Sequence, residues 1–209
     1  MSYFRIPNID KCKRGNVEMN FLNKMSSPKE GFYFECGATD GFILSNTAIL
    51  ERDFNWTGIL VEANTHLYDQ LKQNRPNNIC VNACISDREK TVKFLNQPSG
   101  GMMGHSRIVD NNRNENTIDV KTKTITSILR ENDAPHLIDY GVIDIENCVL
   151  QAIMGIDFHK YNFKFLAIEF NDHDEQDWDH IKNILEESDY TFIQSLADNS
   201  HIFRYNAKW

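Results

Sequence analysis

The chain has no apolar run near the ~20 residues that a bilayer-spanning helix needs, and its first twenty residues lack the basic start, apolar middle and small-residue cleavage site of a secretory signal. These absences predict a cytoplasmic chain with no membrane span. Its five cysteines (Cys12, Cys36, Cys80, Cys84 and Cys148) are an odd number without a CxxC pair, which argues against both a disulfide framework and a zinc knuckle. All but Cys12 sit in or beside apolar segments, where a thiol behaves as a small hydrophobe, as fits a reducing compartment. A surplus of positive charge is missing too. Lys and Arg number 22 against 30 Asp and Glu, for a formal net charge of -8. Nucleic acid is therefore not the expected partner, because its backbone is bound by basic faces that displace counterions. No internal repeat or Pro-rich linker divides the sequence.

What is present suffices for one core: 209 residues, 41% hydrophobic and 25% charged, are expected to form a single domain over 1–209. Residues 1–30 mix charges with Phe21, Leu22 and Met25 and read as a helical lead-in ended by Ser26-Ser27-Pro28. From Gly31 onward short apolar runs alternate with helical segments, the pattern of an α/β protein whose sheet is mostly parallel, with helices on both faces. Strands are expected at 32–36, 58–62, 79–85, 138–144 and 164–169, with helices at 45–52 and 65–73. The tail predicts a helix over 178–187 and strands over 190–194 and 201–205, whose short link requires an antiparallel pair. Between the strands expected at 79–85 and 138–144, the segment 96–117 is polar and aperiodic, and is expected to be a lid loop.

The segment Phe32-Tyr33-Phe34-Glu35-Cys36-Gly37-Ala38-Thr39-Asp40-Gly41 is an apolar strand running into a glycine turn, and Ser45 or Asn46 could cap the helix after it. A turn at the end of a first strand marks a ligand crevice, and Gly37 and Gly41 would let the backbone bend tightly against the ligand. The turn has neither the GxGxxG spacing of dinucleotide sites nor the GxxxxGK[ST] of phosphate loops. Two carboxylates beside it, Glu35 and Asp40, would repel a pyrophosphate and favour the ammonium and sulfonium of S-adenosylmethionine. Glu62 ends the next apolar run about 20 residues further on, where this architecture places an acid that accepts ribose hydroxyls.

At these residues the sequence resembles the FkbM-type S-adenosylmethionine-dependent O-methyltransferases. The resemblance rests on Glu35-Cys36-Gly37-Ala38-Thr39-Asp40-Gly41 with Ser45-Asn46, on Trp56 to Asn64, on Asn82 to Asp87, and on Asp144-Ile145-Glu146 leading to Gly155-Ile156-Asp157-Phe158. One departure is Asn147, where the family usually carries Gly. The resemblance implies a Rossmann-like class I methyltransferase fold, with a mostly parallel seven-stranded sheet and an antiparallel C-terminal hairpin strand. It also implies that Glu35, Gly37, Asp40 and Ser45 face the methionine end of the cofactor, Glu62 the ribose, and Ser86 with Asp87 the adenine edge. Ala38, Gly41, Asn46 and Ala63, adjacent to these, complete the expected cofactor set.

Methyl transfer is an in-line displacement, so the protein supplies alignment and a way to remove the acceptor's proton. Asp144 and Glu169 close two expected strands, and Asn171, Asp172 and His173 follow at once. Asp144 and Glu169 are thus candidate catalytic groups, and together with Asn171 a candidate site for a divalent cation, magnesium or manganese, by analogy with cation-dependent sugar methyltransferases. His105, in the expected lid, is a third catalytic candidate. The expected function is O-methylation of a carbohydrate or other small polar acceptor, and a glycosyltransferase is a conceivable covalent neighbour domain. The rival readings are a silent methyltransferase-like binding module, which Asn147 would suit, and a nicotinamide-dependent oxidoreductase, which the acidic turn disfavours.

Overall fold

A computed structural model describes residues 30–96, 106–109, 117–170, 177–196 and 199–207. The expected helical lead-in except Glu30, and all of the expected lid except 96, 106–109 and 117, lie outside these residues. The elements run β1 (Phe32–Cys36), α1 (Ala48–Phe54), β2 (Thr57–Glu62), α2 (Thr65–Asn74), β3 (Ile79–Asn82), β4 (Cys84–Ile85), β5 (Thr91–Leu95), β6 (Arg107–Val109), β7 (Thr117–Lys123), α3 (Ile125–Glu131), β8 (Leu137–Ile143), α4 (Val149–Met154), β9 (Asn162–Glu169), α5 (Trp178–Glu187), β10 (Tyr190–Ser195) and β11 (Ser200–Tyr205).

Seven strands form the main sheet in the order β10-β11-β9-β8-β1-β2-β3. β3, β2, β1, β8 and β9 pair in parallel, whereas β11 is antiparallel to both β9 and β10. The chain builds outward from β1 to β3 and then returns to β8 on the other side of β1. That reversal opens a crevice at the carboxyl ends of β1 and β8, where ligands bind in sheets of this kind. Successive β1 residues serve opposite faces of the sheet: Phe34 and Cys36 join one core cluster, and Tyr33 joins the other with Leu60, Tyr140 and Phe165. Strands covered on both sides need apolar residues at nearly every position, and each fully buried large side chain contributes about 1.5–3 kcal/mol.

The structure departs from the sequence expectations in three places. The strand expected at 79–85 is two strands: β3 ends at Asn82, whose side-chain amide donates to the carbonyls of Glu62 and Ala63, and β4 leaves the main sheet to pair with β7. A second sheet of order β4-β7-β5-β6 stands where no strands were expected beyond 85, and β6 lies inside the expected lid. Helix α1 begins at Ala48 rather than 45, and neither Ser45 nor Asn46 caps it. Thr47 holds the cap position without a side-chain cap bond, because its hydroxyl, that of Ser45 and the backbone N–H of Asn46 all donate to the Glu35 carboxylate.

Candidate functional site

A cavity of about 450 Å³ opens at the carboxyl ends of β1, β2 and β8, within the range of ~300–1,000 Å³ typical of small-molecule sites. β1 and β8 converge at its floor. The Asp144 N–H donates to the Cys36 carbonyl at 3.1 Å, and a Cβ on Gly37 would lie 1.7 Å from the Asp144 carbonyl oxygen. Gly37 also has φ +83, so backbone conformation and close approach both require glycine there. Gly41 shares that φ, but its missing Cβ makes room for Leu71 and for the stem of Arg75, each 2.7 Å from where the Cβ would stand. It does not line the cavity.

Of the expected cofactor set, Gly37, Asp40, Glu62 and Ala63 line the cavity. Asp40 also holds the turn, accepting through Oδ1 from the N–H groups of Phe42 at 2.9 Å and Ile43 at 2.7 Å. Glu62 is buried, and its two oxygens accept from the N–H of Asn64 at 2.7 Å and of Thr39 at 2.9 Å. Desolvation pushes the Glu62 carboxyl up to about 7, although the amides of Asn64, Thr39 and Ala63 favour the ionised form. Each carboxylate oxygen has a second lone pair, so Glu62 can accept from a ligand as well.

Glu35, Ala38, Gly41, Ser45, Asn46, Ser86 and Asp87 are not among the lining residues. Glu35 is fully buried beneath the turn, and its carboxylate is taken up by Ser45, Asn46 and Thr47. Facing it is Arg75, a residue the sequence reading passed over. Arg75 is 1% exposed; it pairs with Glu51 and donates to the Gly41 carbonyl, Ser45 Oγ, the Tyr33 hydroxyl and Thr47 Oγ1. A helix-terminal Arg before Pro76 reads as a solvated cation, and no local pattern separates it from one. Ser86 bonds to Asp87, which pairs with Lys90, and the wall expected from these two is formed instead by Ala83, Cys84, Ile85 and Phe94.

Asp144 and Glu169 both line the cavity, joined by Glu146. Asn46 Nδ2 donates to Asp144 Oδ2 at 3.3 Å, so the loop that Glu35 fixes also touches this carboxylate. His105 and Asn171 lie outside the described residues. Among the described residues no three His, Cys, Asp or Glu side chains are grouped to hold a metal ion. Among the described lining residues, Asp40, Glu62, Asp144, Glu146 and Glu169 stand with one cation, Arg107. The negative field expected from Glu35 and Asp40 therefore comes from Asp40, Asp144, Glu146 and Glu169, which Glu62 joins as it ionises. A cavity so charged complements a sulfonium and an ammonium and opposes a polyphosphate. Its apolar wall of Ala83, Ile85 and Phe94 can receive a flat heterocycle, so the residues present fit S-adenosylmethionine.

The family described as Methyltransferase FkbM domain matches residues 35–192 of this sequence. The chain belongs to the FkbM methyltransferase family. No curated protein is a significant match. Among solved structures, the precorrin-6y C5,15-methyltransferase of Geobacter metallireducens superposes with a TM-score of 0.50 at 11% identity, covering 91% of this chain and 89% of that one. Aeropyrum pernix fibrillarin, solved with S-adenosyl-L-methionine bound, gives 0.53 at 9% identity over 92% and 75%. At such identities the likeness concerns the fold. This FkbM chain is thus an S-adenosylmethionine-dependent methyltransferase by family, with the class I methyltransferase fold. Asn147, where the resemblance expects Gly, sits at φ 61, a region Asn tolerates better than other side-chain-bearing residues. No helix among the described residues is long and apolar enough to cross a membrane.

Proposed function

We propose that this FkbM methyltransferase methylates a hydroxyl of a carbohydrate or other small polar acceptor. The observation that carries this reading is Asp144: a carboxylate in the same cavity as Glu62 and Asp40, held by Asn46 at the carboxyl end of β8. S-adenosylmethionine, when bound, supplies a methyl group on a positively charged sulfur. Glu62 would accept the ribose hydroxyls, Asp40 would face the ammonium end, and Phe94 and Ile85 would flank the base. An alcohol gives up its proton reluctantly, so O-methylation needs a nearby proton acceptor. Asp144 fills that role, with Glu146 and Glu169 lining the same cavity. The carboxylate-rich lining suits a neutral polyhydroxyl acceptor better than a phosphorylated one.

The test incubates the protein with S-adenosylmethionine and a panel of free sugars, glycosides and nucleotide sugars, and reads products by mass spectrometry. A product heavier by one methylene, formed by wild type and reduced at least ~100-fold by Asp144→Asn, is the expected result for loss of a general base. Methylation on nitrogen or carbon alone, or full activity of Asp144→Asn, contradicts the reading.

A further inference from the structure

Glu62 and β6 come from distant parts of the sequence and meet at one residue, Asn64. Its backbone N–H donates to Glu62 Oε1 at 2.7 Å. Its Oδ1 caps helix α2, accepting from the N–H groups of His66 at 2.9 Å and Leu67 at 3.2 Å. Its Nδ2 donates to Ser106 Oγ at 2.9 Å, just before β6 begins. Asn64 is fully buried, so each of these groups is costly to leave unmade. Ser106, Arg107 and Ile108 line the cavity across from α2, and Phe94 of β5, paired with Ile108, continues that wall. A second bond in the same sense is the contact of Asn96 Nδ2, just past β5, with Thr65 Oγ1 at 3.5 Å. Both strands of the β5–β6 pair are thus tied to the first residues of α2, over the corner that holds Glu62.

We infer that Asn64 is a positioning residue of the cofactor corner: it sets Glu62 from below and, through Ser106, holds the β6 wall against the bound adenosyl group. This rests on S-adenosylmethionine binding in this cavity and goes beyond it by naming what keeps the site assembled. The role separates from helix capping by chemistry. Ser is as good a helix cap as Asn but is too short to reach β6, so Asn64→Ser keeps the cap and loses the tie. Ser106→Ala loses the same tie from the other side without touching α2.

The experiment measures S-adenosylhomocysteine affinity by calorimetry, alongside thermal unfolding, for wild type, Asn64→Ser, Ser106→Ala, the double variant and Ser106→Thr. One lost hydrogen bond predicts a Kd raised roughly 3–10-fold in each single variant, with unfolding temperatures lowered by only the few degrees that one unmade buried bond costs. The double variant is expected to be no weaker than the worse single one, since both remove one interaction, and Ser106→Thr is expected to restore affinity. Unchanged affinity in Ser106→Ala, or additive losses in the double variant, overturns the inference. A wild-type protein that gives no binding heat with S-adenosylhomocysteine would remove the cofactor assignment itself, and this inference with it.

Discussion

Glu62→Gln converts the buried carboxyl into a measurable pH dependence of folding. Desolvation raises the Glu62 carboxyl from its ordinary 4.5 to about 7, so between these values the folded chain keeps a proton that the unfolded chain has released. Stability therefore falls as pH rises through this window, and the loss is complete above about 7. At about 1.36 kcal/mol per pH unit the full window is worth about 3 kcal/mol, of which about 2–3 kcal/mol falls between pH 5 and 8. The Gln side chain does not titrate, and its single acceptor oxygen faces the two N–H donors of Asn64 and Thr39. That mismatch costs ~1–3 kcal/mol, but at every pH alike. Urea unfolding of both proteins without cofactor, at pH 5 and pH 8, removes this constant by subtraction. The difference between variant and wild type should move in the variant's favour by about 2–3 kcal/mol on going to pH 8. Parallel pH dependence of the two proteins would refute the argument.

Arg75→Met strands Glu51, and leaves Ser45 and Thr47 without their guanidinium partner above the buried Glu35; breaking such a buried pair should lower the unfolding free energy by about 3–5 kcal/mol in denaturant titrations. Gly37→Ala places a methyl 1.7 Å from the Asp144 carbonyl oxygen at φ +83, so both S-adenosylhomocysteine binding and stability should fall sharply, a result calorimetry and thermal unfolding read directly. Asn147→Gly should be neutral or better and Asn147→Val destabilising by more than ~1 kcal/mol, since φ 61 suits glycine and opposes a β-branched side chain.

The parallel core was legible because its strands are continuous apolar runs: β1 was delimited to the residue, as was α5, and the antiparallel tail followed from its short connection. The second sheet was not, because β4 and β6 are too short to show a period, and the alternation in β5 and β7 covers only Val92 and Phe94, and Ile118 and Val120, before Leu95 and Thr122 break it. In the site, Glu62 and Asp144 were expected from their places at strand ends, and both line the cavity. Glu35 was misplaced for a physical reason. A strand-end acid next to a glycine turn reads as facing the ligand, but the alternation of β1 points this side chain into the layer under α1 and α2. Arg75, which meets the same Ser45 and Thr47 that hold Glu35, stands far along the chain at the end of α2, and only the fold brings them together. Ser86 and Asp87 were displaced because β4 turns away into the second sheet and presents Cys84 and Ile85 instead.

A carboxylate-lined cavity with Glu62 in it is expected to take an adenosyl sulfonium rather than a phosphate-bearing cofactor. Calorimetric titration of wild type and Glu62→Ala with S-adenosylmethionine, and of wild type with NAD, tests it most directly. One-site binding of S-adenosylmethionine to wild type, severe weakening in Glu62→Ala and no heat with NAD are expected; tight NAD binding, or a Glu62→Ala variant that binds S-adenosylmethionine as wild type does, would overturn this selectivity.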